Sequence, residues 1–161
     1  MKVIKHLIAD CAWLPGRIHL FGFAQGGSVA VECAVAFWKA QLQLQQAHGS
    51  SKAQSPNHAL GSVVSVCGGP LLHHALSVQC PTPVLVLHRA PPSELVLSAD
   101  ALAGLHRFFE WVKDVRLGAS GGMPRSREEW HPVMEFWSQR LGKRAAEGLY
   151  EVLSGIQGNQ A

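Results

Sequence analysis

The sequence predicts an α/β fold, a mostly parallel sheet of about four short strands flanked by helices. Three observations carry this expectation. Short apolar runs alternate with longer segments whose apolar residues recur every three or four positions. The short runs are nearly continuous in apolar residues, as strands covered on both faces are. One of them, residues 18–23, passes through a glycine-bounded turn directly into a helical segment.

Taken in order, Val3, Ile4, Leu7, Ile8 and Cys11 share one helical face, and Pro15-Gly16 ends that helix. Residues 18–23 are too short for a helix and form a buried strand. A long helix runs from Ser28 to about Gln46, with Val29, Ala30, Cys33, Ala34, Phe37 and Leu44 roughly on one face. Residues 47–58 are polar and turn-rich and form a surface loop. Val63-Val64-Ser65-Val66 is a second strand, stopped by Gly68-Gly69-Pro70. Residues 71–78 suit a helical turn or a short helix. Pro81-Thr82-Pro83 introduces a third strand, Val84-Leu85-Val86-Leu87-His88. Ser98 caps a helix running to about Trp111, and residues 112–117 are a fourth strand candidate. Ser126-Arg127-Glu128-Glu129 is a capping box that opens a helix to Leu141. Residues 143–153 suit a further amphipathic helix, followed by a frayed polar tail.

Composition narrows the function classes. A chain of 161 residues suits a single domain, here residues 1–161, with a core over 3–141 and a terminal helix and tail over 142–161. Its 47% hydrophobic content supports a core, and a net charge of +3 does not point to nucleic acid. No uninterrupted apolar stretch of about 18 residues exists, so no membrane span is expected. Cys11, Cys33, Cys67 and Cys80 lack metal-type spacing and sit in apolar runs, which predicts buried free thiols and a cytoplasmic protein. No metal-ligand spacing and no cofactor motif appears; adjacent His73 and His74 do not converge on one ion, and Gly68-Gly69-Pro70 lacks the lysine of a phosphate loop.

The turn Gly22-Phe23-Ala24-Gln25-Gly26-Gly27 has the layout of a nucleophile elbow, in which a strained strand-to-helix turn raises one side chain above the sheet. The glycines two before and two after the apex allow a close backbone approach. The apex, Ala24, has no hydroxyl. The longer segment Arg17-Ile18-His19-Leu20-Phe21-Gly22-Phe23-Ala24-Gln25-Gly26-Gly27 resembles the phospholipase/carboxylesterase family of α/β-hydrolases, which includes the acyl-protein thioesterases. That family's elbow is Gly-Phe-Ser-Gln-Gly-Gly, after an Arg-Ile-x-Leu strand. Residues 83–88 resemble its strand ending in His-Gly, and residues 128–141 its last helix; the resemblance covers most of 3–141.

The resemblance implies a Ser-Asp-His triad that cleaves carboxylic esters and thioesters of acyl chains. The serine position maps to Ala24. The acid position falls on Pro92 by direct spacing, or on Glu94 with a two-residue insertion. The histidine position falls on Met123, which accepts no proton; His131 lies about two helical turns further on. The Gln25 N–H would be one oxyanion-hole donor. The second belongs to an upstream loop before the residue matching Met1, so the resemblance implies an N-terminally truncated, partial hydrolase fold.

Triad members act as a unit, so these departures together predict a catalytically degenerate homologue. One alternative is a residual esterase or thioesterase using Ser28 and Glu94, or completed by another chain. Another is a non-catalytic interaction module. The implied partners are an acyl-chain ligand or an acylated protein, and a second copy or partner chain on an exposed sheet edge. The aromatic residues Trp130, Phe136 and Trp137 belong to a core or an interface.

Overall fold

The computed structural model describes residues 1–47, 58–73, 75–119 and 121–141. The element order is α1 (Lys2–Ala9), a 3-10 turn (Pro15–Arg17), β1 (His19–Phe23), α2 (Gln25–Ala47), β2 (Ser62–Val66), β3 (Val84–Arg89), α3 (Ala99–Phe108), β4 (Val112–Leu117) and α4 (Arg127–Arg140). The four strands form one sheet in the order β1-β2-β3-β4, with every pair parallel. The expected α/β class and strand number are therefore observed.

The central strands behave as their composition demands. Every residue of β2 and β3 is buried, which a sheet covered on both faces requires. Alternation along β3 sends Val84 and Val86 into one core, with Val31, Val35, Trp38, Leu105 and Phe108. Leu85 and Leu87 enter a second core on the other face, with Val133 and Phe136 of α4. The sheet is thus flanked by α1, α2 and α3 on one side and α4 on the other.

β1 departs from the expectation of a buried strand. Among the described residues it pairs only with β2, so it lies at the edge. Phe21 and Phe23 are 40% and 38% exposed. The Ala24 N–H donates to the Val66 carbonyl at 2.7 Å. In a parallel ladder alternate residues face each neighbour. Leu20 and Gly22 therefore turn toward β2, while His19, Phe21 and Phe23 turn their backbone groups to the open edge. The Phe21 ring is not idle: it stacks 6.1 Å from Trp130 and packs 5.9 Å from Trp137, both on α4.

Other expectations shift for local reasons. The second helix begins at Gln25 rather than Ser28, because the Ala24 carbonyl already accepts a helical bond from the Ser28 N–H at 3.1 Å. The first helix ends at Ala9, and Pro15 opens the 3-10 turn instead of closing the helix. The described part of 71–78 contains no helix; there the Leu71 and Leu72 N–H groups donate to the Glu32 carboxylate at 2.8 and 3.1 Å. The third helix stops at Phe108. All four thiols are free, yet Cys11 is exposed and Cys33 half-buried, and only Cys67 and Cys80 are buried. The helix expected over 143–153, and most of the 47–58 loop, lie outside the described residues. No helix among the described residues is long and apolar enough to cross a membrane.

Candidate functional site

The turn after β1 stands at the carboxyl end of the sheet and carries the strain its sequence suggested. Ala24 has φ 48°, a left-handed conformation that L residues seldom adopt. The tight packing rests on Gly22, Gly27 and Gly68. A Cβ on Gly22 would come within 2.1 Å of the Gly26 carbonyl oxygen, and one on Gly27 within 2.3 Å of Ser65 Oγ. A Cβ on Gly68 would meet the Ser28 nitrogen at 2.4 Å and the Ala24 oxygen at 2.5 Å. Gly26 is different: nothing lies within 4 Å of a Cβ built there, so its backbone receives Gly22 while its own missing side chain is not required.

Ser65 locks the partner turn, its hydroxyl donating to the Gly68 carbonyl at 2.7 Å. Cys67, next to it, also has a positive φ of 59°. Two strained turns therefore sit side by side at the ends of β1 and β2. Burial pushes the Cys67 thiol up, opposed by the charge of Arg89. Ser28 is buried in the first turn of α2. The Gln25 N–H lies at the start of the same helix, among the first donors that lack an intrahelical acceptor.

The three positions assigned by the resemblance come from segments that meet at this end. A Cβ on Gly122 would fall 2.8 Å from Phe23 Cζ and 3.7 Å from Leu95 Cδ1. The loop before α4 therefore lies close to both the elbow strand and the turn after β3. Their side chains do not make a triad. Ala24 contributes a methyl group, and Met123 is packed against the second core. Glu94 is exposed, with no hydrogen bond or ion pair among the described residues. Pro92 is exposed too, and follows a cis peptide bond with Pro91. His131 is an exposed residue of α4. His88 is buried with neither ring nitrogen hydrogen-bonded among the described residues. As the strand neighbour of Arg89 it points to the opposite face, away from the Met123 loop.

A charged cluster occupies that loop instead, and the sequence patterns did not reveal it. Arg89 ends β3 with 0% exposure. Its guanidinium donates to the carbonyls of Gly118 (3.2 Å), Gly122 (2.9 and 3.1 Å) and Met123 (3.0 Å). It also forms a two-pronged ion pair with the Glu129 carboxylate. The Arg89 hydrogen bond, then the Arg125 backbone N–H at 2.9 Å, hold the Glu129 carboxyl below the usual carboxylate range. The expected capping box is thus half made: Ser126 Oγ accepts from the Glu129 N–H at 3.2 Å, while the Glu129 side chain turns to Arg89 and Arg125. An arginine ending an apolar strand was the available signal, because a buried guanidinium demands a carboxylate; its partner lies 40 residues away.

Three comparisons with known proteins bear on this site. No family model matches the chain. Over 154 residues it is 31% identical to the uncharacterized hydrolase UM10204 of Mycosarcoma maydis, an alignment covering 89% of this chain and 49% of the relative. The chain thus spans about half the length of the curated relative it matches. Two solved structures are similar: a SOBER1 variant of Arabidopsis thaliana (TM-score 0.58, 19% identity, 88% of this chain and 61% of that one) and YahD with malic acid (TM-score 0.55, 12% identity, 86% and 59%). At these identities the likeness shows the fold alone, a parallel α/β sheet of the α/β-hydrolase type.

Proposed function

We propose that this chain is a hydrolase-type α/β unit that keeps the elbow scaffold and lacks its hydrolytic chemistry, as a degenerate relative of carboxylesterases and acyl-protein thioesterases. The observation that carries this reading is Ala24: the strained apex conformation is retained, at φ 48°, without a nucleophilic atom on it. The similarity to a hydrolase of Mycosarcoma maydis supports the hydrolase class. The half-buried Met123 side chain against an apolar core, with the Met123 carbonyl bound to Arg89, supports loss of the general base as well. Without nucleophile and base, an oxyanion donor such as the Gln25 N–H retains only a minor share of the rate.

The test is direct. The purified chain is incubated with a short-chain p-nitrophenyl ester, an acyl thioester and a fluorophosphonate probe. The expected result is no turnover above buffer and no labelling. The Ala24→Ser variant restores a hydroxyl at the apex, but stays below detectable turnover because Met123 offers no base. Ester or thioester hydrolysis by the unmodified chain, abolished by Ser28→Ala or Glu94→Gln, overturns the reading in favour of a residual esterase.

A further inference from the structure

Helix α2 leaves the elbow at Gln25, and its later turns form one wall of an open groove whose other wall is α1. The groove has a volume of about 500 Å³, within the range of small-molecule sites. Its apolar lining includes Ile8, Phe37, Ala40 and Leu44, the last of them exposed. Phe37 to Leu44 lie 13 to 20 residues beyond Ala24, or roughly 20–30 Å along the helix at its standard rise. The groove is therefore separate from the elbow.

Its polar side chains are one cation and two neutral amides. Lys5, Gln41 and Gln43 line it, and no acidic side chain does. Lys5 is exposed and has no ion-pair partner among the described residues. A cation with neighbouring amide donors, beside an apolar trough, is complementary to a negative head group on a hydrocarbon chain. We propose that this groove binds a single-chain carboxylate amphiphile, its carboxylate at Lys5 and its chain along Phe37, Ala40 and Leu44. The exposed ammonium leaves the head group in contact with water. This site does not depend on whether the elbow is active.

Calorimetric titration of the 161-residue chain with dodecanoate, kept below its micelle concentration, tests this. Saturable one-to-one binding is expected. Each methylene removed weakens binding about fourfold, so decanoate binds roughly fifteenfold more weakly. Lys5→Glu lowers dodecanoate affinity at least tenfold and shifts preference toward dodecyltrimethylammonium. Leu44→Asp weakens both ligands. Both positions are exposed, so unchanged melting temperatures separate lost binding from lost folding. Affinity independent of chain length, or unaltered by Lys5→Glu, overturns the proposal. So does a concentration-dependent dimer abolished by Leu44→Asp without dodecanoate binding, which makes a second copy the occupant. Binding to anionic vesicles alone, with none to monomeric dodecanoate, also overturns it.

Discussion

Ala24 holds a backbone conformation that costs an L residue about 1 kcal/mol and a glycine almost nothing. Ala24→Gly is therefore expected to raise stability by up to about 1 kcal/mol, less the entropy glycine adds to the unfolded chain. Ala24→Val, β-branched in the same conformation, lowers it. The glycines around the apex divide sharply. Gly22→Ala drives a Cβ into the backbone of Gly26 and should destabilise by about 3 kcal/mol or prevent folding. Gly26→Ala has open space and a helical position, and should be neutral or stabilising. Urea unfolding of the four variants checks both contrasts, and equal losses at Gly22 and Gly26 would contradict the packing described. At Arg89, removing one partner leaves the other charge unpaired. Glu129→Gln is expected to cost roughly 3 kcal/mol at neutral pH. Because the Glu129 carboxyl is held below its unfolded value, the unfolded chain binds more protons on the acid side. Its stabilisation is complete above the ordinary carboxylate range and disappears as pH falls through the lowered folded value. Glu129→Gln should accordingly flatten the acid limb of the stability profile, whereas an unchanged slope would show that Glu129 is not linked to folding.

At the scale of elements, two serine caps carry comparable weight. Ser98 Oγ accepts from the Ala101 N–H at 3.1 Å and Ser126 Oγ from the Glu129 N–H at 3.2 Å. Alanine at either should cost about 1 kcal/mol. Ser126→Ala should cost more than Ser98→Ala, since it also loosens the residue that pairs with Arg89; melting temperatures of the two variants decide it. Among the described residues β1 is hydrogen-bonded to a strand on one side only. Its odd-numbered residues direct backbone donors and acceptors to an open edge, and Phe21 and Phe23 add apolar surface there. We propose that a second copy or a partner chain adds a strand to this edge. Phe23→Lys, a charge on the edge, should shift any self-association measured by sedimentation toward monomer at unchanged fold. A distribution insensitive to this substitution would place association elsewhere.

For the whole molecule, the α/β class, the four strand segments and the two-sided burial of the central pair follow from patterns legible along the chain. The largely apolar runs at 62–66, interrupted by Ser62 and Ser65, and at 84–87 fit burial on both faces, and they became the two central strands. Strand alternating with helix left few topologies, because parallel strands need helical crossovers. The elbow was legible too, since closely spaced glycines around a strand-to-helix junction have few other uses. That Ala24 carries no hydroxyl is fixed by residue identity and needed no coordinates. Tertiary structure alone decided three further things. It paired β1 with β2 and set Phe21 against Trp130 and Trp137 of α4, because such partners are set by the whole sheet. It joined Arg89 to Glu129 and to the Met123 loop across 40 residues, a pairing no local period encodes. It also brought Lys5 of α1 to line one groove with Phe37, Ala40 and Leu44 of α2. Periodicity reports which face of a segment is apolar; only packing decides what that face, or a charge at its end, comes to meet.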